Sequence, residues 1–219
     1  MGMKQISYKE ARKNMKPGDV IAFSGSGDFA EITKFVTRSN VSHIGTILQT
    51  KVVDQESSDR YFNQIIESTK HDGVEIYRAS ERINRFDNEV WWLPLDREKR
   101  EKSFDSDKFF DFLFNQVKEN RPYDMLEAVK SAVDILDRYS VKGHKPGYNN
   151  EDFSKFFCSE LVAAGLEASG MVPRLNASEV TPSDLCSWNI FEADYYLLKG
   201  NPDRSIKRYN SADPSYWDI

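Results

Sequence analysis

Residues 156–162 read Phe156-Phe157-Cys158-Ser159-Glu160-Leu161-Val162. The periodicity predicts a helix that begins near Ser154 and carries a cysteine in its first turns. Helical spacing sets Cys158 on the face of Leu161, Val162 and Gly165, turned toward a packed sheet. A helix N-terminus concentrates positive partial charge, which favours a thiolate and lowers a thiol pKa. A buried structural cysteine is the other reading, because free cysteine is among the residue types most often found in cores.

A cysteine nucleophile needs a base, and the chain holds three histidines. His71 falls in a turn beside Asp72, and His144 falls in a Gly/Pro loop near Lys142 and Lys145, so both read as solvated. His43 lies in 41–48, where Val41, His43, Gly45 and Ile47 alternate with Ser42, Ile44, Thr46 and Leu48 across two faces of a strand. A rigid strand holds a base well, although a lone inward histidine is also a common core residue. Glu67 closes the apolar run Ile65-Ile66-Glu67. A neighbouring strand can set that carboxylate beside the imidazole and fix its tautomer; a solvated strand end is the alternative.

Working outward, 7–16 reads as a short helix ended by Pro17-Gly18, 20–23 as a strand and 24–27 as a loop. Helical spacing follows over 32–38, and 49–61 is polar surface loop. Strands at 64–68 and 74–78 join through His71-Asp72-Gly73, a hairpin signal, and 89–95 is a further strand. A helix capped by Ser106 carries Phe109, Leu113 and Val117. Another opens at Asp124 and carries Met125, Val129, Ala132, Leu136 and Tyr139. A loop over 141–152 and a closing strand over 191–198 complete the chain.

With 219 residues, 39% hydrophobic and 30% charged, the chain suits one globular domain over 1–219. A net charge of -5 and the lack of a basic stripe exclude nucleic acid as a partner. No run of about 18 apolar residues and no signal-peptide core are found, which predicts a cytoplasmic, reduced chain without a membrane span. Cys158 and Cys186 are the only cysteines, and neither has a second ligand at metal-binding spacing. Gly25-Ser26-Gly27 lacks the Gly-Lys-Ser/Thr that completes a phosphate loop. No cofactor and no metal are expected.

Gly18-Asp19-Val20-Ile21, then Val41-Ser42-His43-Ile44-Gly45, then Phe157-Cys158-Ser159-Glu160-Leu161-Val162 resemble the permuted branch of the NlpC papain-like peptidase superfamily, which includes the lecithin:retinol acyltransferase relatives. In that branch the histidine strand precedes the cysteine helix, as here. Tyr123-Asp124 and Thr181-Pro182-Ser183-Asp184-Leu185 look like its accessory positions. The resemblance spans roughly 17–186 and implies an α+β papain-like fold, an antiparallel sheet packed on the nucleophile helix. Residues 103–140 then form an added helical segment. It also implies Cys158 as nucleophile, His43 as base and Glu67 as the residue that orients it. The function expected is a cysteine peptidase or amidase acting on a small peptide or amino-acid amide through a thioester. An acyltransferase or lipid-ester hydrolase using the same residues, or a non-catalytic binding module, is the alternative. Nothing in the sequence sets the oligomeric state.

Overall fold

The computed structural model describes residues 2–25, 38–53, 61–69, 72–119 and 158–218. Seven strands form one sheet: β1 (Gly2–Gln5), β2 (Val20–Phe23), β3 (His43–Val53), β4 (Tyr61–Thr69), β5 (Gly73–Arg78), β6 (Val90–Leu93) and β7 (Asp194–Lys199). Their spatial order is β1-β7-β6-β2-β3-β4-β5. Every pairing is antiparallel except that of β1 with β7, which is parallel. The sheet is therefore mixed, not the antiparallel one expected. The difference comes from residues 2–5, which are mostly exposed and show no apolar alternation to mark them as a strand.

Side chains of successive residues divide the core into two layers, as the period of two requires. On one face, Ile44, Leu48, Ile66 and Trp91 pack with Phe109, Leu113, Leu161 and Val162. These come from α4 (Ser106–Lys118) and α5 (described from Cys158, Cys158–Ala168). On the other, Ile21, Phe23, Ile47, Ile65 and Trp92 pack with Ala11, Met15, Ala79 and Ile83. Ala11 belongs to α1 (Tyr8–Ala11), and Ala79 and Ile83 to α2 (Ala79–Arg85). Two short helices, α3 (Arg97–Ser103) and α6 (Pro182–Ser187), complete the helical set among the described residues. The chain is thus α+β with helices on both faces of the sheet.

Several local expectations change. The first helix stops at Ala11, with Ser7 and Glu10 making a capping box. The cap of α4 is Asp105, not Ser106; its carboxylate accepts from the backbone N–H of Asp107 and Lys108. Residues 49–53 continue β3 instead of opening a loop, with outward polar side chains and shifts in register against β4. Val41 precedes the strand and packs with Ile44 and Leu48, not with Ile47. Neither α2 nor α3 was expected. The first buries only Ala79 and Ile83, and the second buries nothing, so periodicity had little to register. Expectations for 32–37, for His71 and for all of 120–157 lie outside the described residues. These include Tyr123, Asp124, the 124–139 helix, the 141–152 loop, His144 and the cap at Ser154.

Two parts of the resemblance motifs have structural duties. Asp19 sits at the far end of β2, where its buried carboxylate accepts from the backbone N–H of Lys16 (2.9 Å) and Leu95 (3.1 Å), from Trp92 Nε1 (2.9 Å) and from Arg100. Burial pushes that carboxyl up, and the Arg100 charge with these donors only partly offsets it. The 181–185 segment starts α6 through a Thr181–Asp184 capping box with Pro182 in the first turn.

Candidate active site

His43 is the first residue of β3, at the rim of the sheet. It pairs with Phe23, so the two rings share the face of the second core layer, with centroids 5.5 Å apart. Gly45 and Ile47 follow on the same face. Thr46 pairs with Ile66, which places Glu67 level with Gly45 and on the diagonal from His43. A side chain at Gly45 would meet Ile65 Cδ1 at 2.9 Å and the Ile66 carbonyl oxygen at 3.0 Å. The bare backbone there lets the neighbouring strand lie close.

Across that diagonal, His43 Nε2 is hydrogen-bonded to Glu67 Oε2. Glu67 is fully buried, whereas the His43 side chain keeps 18% of its surface exposed. Arg82, from α2, closes the other side of the carboxylate: its Nε donates to Oε1, and its Nη2 donates to Oε2 at 3.2 Å. The guanidinium stands over the rings of Phe23 (5.0 Å) and Phe86 (5.4 Å), which holds its plane.

Burial raises the Glu67 carboxyl, but the charge and hydrogen bond of His43, and then those of Arg82, outweigh it and hold the group below the usual carboxylate range. Glu67 is therefore ionised and accepts only, so the proton between the two residues belongs to Nε2. In the neutral ring the bare nitrogen is then Nδ1.

Cys158 lies close enough to the imidazole for its charge to act on the ring. With Nε2 taken by Glu67, Nδ1 is the nitrogen available to the thiol. Cys158 is 4% exposed and belongs to the first core layer, with Leu161 and Val162. The cysteine helix and the Glu67–Arg82 pair thus lie on opposite faces of the sheet and meet His43 at its rim. Burial pulls the imidazole toward its neutral form, but the charges of Cys158 and Glu67 and the hydrogen bond to Glu67 prevail, and its pKa is pushed up to about 10.

Cys158, His43 and Glu67, singled out in the sequence, are therefore brought together. Arg82 and Phe23 were not foreseen. For Arg82 the available signal was Ala79 and Ile83 at helical spacing, which sets Arg82 on the flank of a short helix. Cys186 is also a free thiol. It is fully buried in α6, where burial, followed by the charges of Asp184 and Cys158, pushes it far above its ordinary range. Among the described residues no group of three His, Cys, Asp or Glu side chains could hold a metal ion. No helix among them is long and apolar enough to cross a membrane. A cavity of about 310 Å³, lined by residues that include Lys16, Asp19, Trp92 and Tyr196, lies at the other end of β2 and touches neither Cys158 nor His43.

No family model matches the chain, and no curated protein does. Among solved structures it is similar to the metalloprotein yiiX from Escherichia coli O157:H7, with 12% identity over 74% of this chain and 70% of that one, at a TM-score of 0.40. A likeness of that degree fixes neither fold nor chemistry.

Proposed function

We propose that this chain is a cysteine-dependent hydrolase of the permuted NlpC, papain-like type, a peptidase or amidase acting on a small peptide or amino-acid amide. The observation that carries the reading is the hydrogen-bonded series His43–Glu67–Arg82 with Cys158 close enough to the imidazole to act on its charge. Cys158 and His43 are 115 positions apart in the chain, and such a series is what nucleophilic acyl transfer requires.

In this mechanism the Cys158 proton passes to His43 Nδ1 before attack, and the thiolate sulfur of the resulting imidazolium–thiolate pair attacks the acyl carbon. Glu67 keeps Nε2 protonated and stabilises the imidazolium, and Arg82 keeps Glu67 ionised and in place. The backbone N–H of Cys158 contributes to stabilising the oxyanion. The C–N bond then breaks, and the leaving amine takes the proton from Nδ1. Water, deprotonated by the same nitrogen, attacks the thioester carbon, and the C–S bond breaks to release the carboxylic acid and the thiol. An amine or lipid acceptor in place of water would make the chain an acyltransferase.

The test is a screen of purified protein against dipeptide amides, short cell-wall peptides and long-chain acyl esters, with and without an added acceptor. Hydrolysis of the amides that is lost in Cys158→Ala supports the reading. Turnover of esters alone would replace it with the lipid alternative.

A further inference from the structure

Beside the Cys158–His43 pair, the rim of the sheet carries a second set of polar groups that the mechanism leaves unused. Phe23 pairs with His43 on one side and with Val90 on the other. Continuing that register by one residue puts Ser42, Ser24 and Glu89 in a row across three strands, on the face of the cysteine helix. Ser24 N donates to Glu89 O at 2.9 Å, and Ser42 Oγ accepts from Gly25 N at 2.7 Å, so the row continues past the strand ends.

Ser24 is 1% exposed and Glu89 6%. Among the described residues, neither Ser24 Oγ nor Glu89 Oε2 has a hydrogen-bond partner. The other Glu89 oxygen faces Arg204 Nε at 3.5 Å, outside good hydrogen-bond length. The Glu89 side chain lies against Gly200, whose φ of +107° and lack of a Cβ admit it; a Cβ there would stand 2.8 Å from Glu89 Cγ. The tail passes over this end of the sheet, since Arg204 O accepts from Trp91 Nε1 (3.2 Å) and Ser205 O from Asn40 Nδ2 (3.0 Å).

A buried carboxylate oxygen without a donor is costly, and a bound group that supplies the donor removes that cost. We propose that Ser24 and Glu89 form a ligand subsite beside Cys158 that takes a protonated primary amine of the substrate. An ammonium group carries charge and three donors, enough for Glu89 Oε2 and Ser24 Oγ together. An acyl chain offers none, and a hydroxyl offers one donor without charge. Neighbouring strands lie about 4.8 Å apart, so Glu89 stands about 10 Å from Ser42 along the row. About three extended residues span that distance, at about 3.4 Å each. The subsite rests on the hydrolase reading and narrows it to substrates with a free amino group a few residues before the scissile carbonyl.

The test uses full-length Cys158→Ala protein, to prevent turnover, and two probes: L-alanyl-L-alanyl-L-alaninamide and its N-acetyl derivative. Calorimetric titration is expected to show the free amine binding at least about tenfold more tightly, the difference made by a charge-assisted contact. That preference should vanish in Glu89→Gln and shrink in Ser24→Ala. The two-probe comparison needs neither variant to fold. Equal binding of the probes, or no binding of the free amine, would overturn the subsite. Turnover by the wild-type chain separates the two ideas. Amine-selective binding without turnover keeps the subsite and removes the hydrolase; equal turnover of both probes keeps the hydrolase and removes the subsite.

Discussion

His43 Nε2 and Glu67 Oε2 are hydrogen-bonded on the diagonal between β3 and β4, with the bare backbone of Gly45 beside them. The bond leaves Nδ1 as the nitrogen available to Cys158 and makes the orientation of the imidazole a property of strand register. A slip of one residue between these strands would carry Glu67 to the other face.

Gly45→Ala therefore tests the spacing. Its Cβ would press on the Ile66 carbonyl oxygen, which is backbone and cannot rotate away. A destabilisation of about 1–3 kcal/mol is expected from this overpacking, with loss of activity beyond what the unfolded fraction explains. Chemical denaturation and kinetics on the folded fraction measure both. A variant as stable and active as wild type would show that the close approach is unimportant.

Arg82 should matter to both stability and rate. Removing it in Arg82→Met leaves a fully buried Glu67 with one partner fewer. Arg82 itself is 22% exposed, so the cost should fall below that of a fully buried pair, at about 2–3 kcal/mol. Arg82→Lys keeps the charge but not the two-pronged geometry, and should recover only part of the loss. Full activity in Arg82→Met would remove it from the series.

The pH dependence of stability has two limbs. Glu67 is held below its ordinary value, so its contribution is present above about pH 4.3, the unfolded value, and is lost as pH falls through the folded pKa. His43 is raised to about 10, so its contribution is complete below about pH 6.5 and is lost as pH rises toward 10. Wild-type Tm should fall on both sides of that window. Glu67→Gln should flatten the acid limb, and His43→Asn the alkaline one. Limbs unchanged in both variants would assign the dependence to other groups.

Much of this site was readable in the sequence because its parts lie on strongly patterned elements. Residues 44–48 and 158–166 are buried throughout, and that burial is written as dense runs of apolar and small residues. Glu67 was readable only as the end of an apolar run, since its partner on the next strand depends on register. Arg82 depends on a helix with two inward residues, too few for a period to emerge. Ser24 and Glu89 follow from pairing across three strands that are far apart in the chain, which no local pattern encodes. The parallel β1–β7 edge was hidden for a different reason: its residues are exposed and its bonds are between backbones.

The two thiols should differ in reactivity. Cys186 is fully buried and its thiol is pushed up, whereas Cys158 has an imidazole at hand. One equivalent of iodoacetamide at neutral pH is expected to modify Cys158 and spare Cys186, as read by peptide mass spectrometry. In His43→Ala the labelling of Cys158 should slow by at least about tenfold. Preferential labelling of Cys186 would reverse the assignment.

The central claim is that Cys158 carries the acyl group and His43 moves the protons. Its most direct test is the steady-state hydrolysis of a dipeptide amide panel by wild type, Cys158→Ala, His43→Ala, Glu67→Gln and Cys186→Ala. Wild type and Cys186→Ala should turn the amides over, with a loss of roughly a thousandfold or more in Cys158→Ala and in His43→Ala, because the members of such a unit fail together. Glu67→Gln, which keeps a hydrogen bond but loses the charge, should fall less, on the order of a hundredfold. Amide turnover that persists at the wild-type rate in Cys158→Ala would show that Cys158 is not the nucleophile.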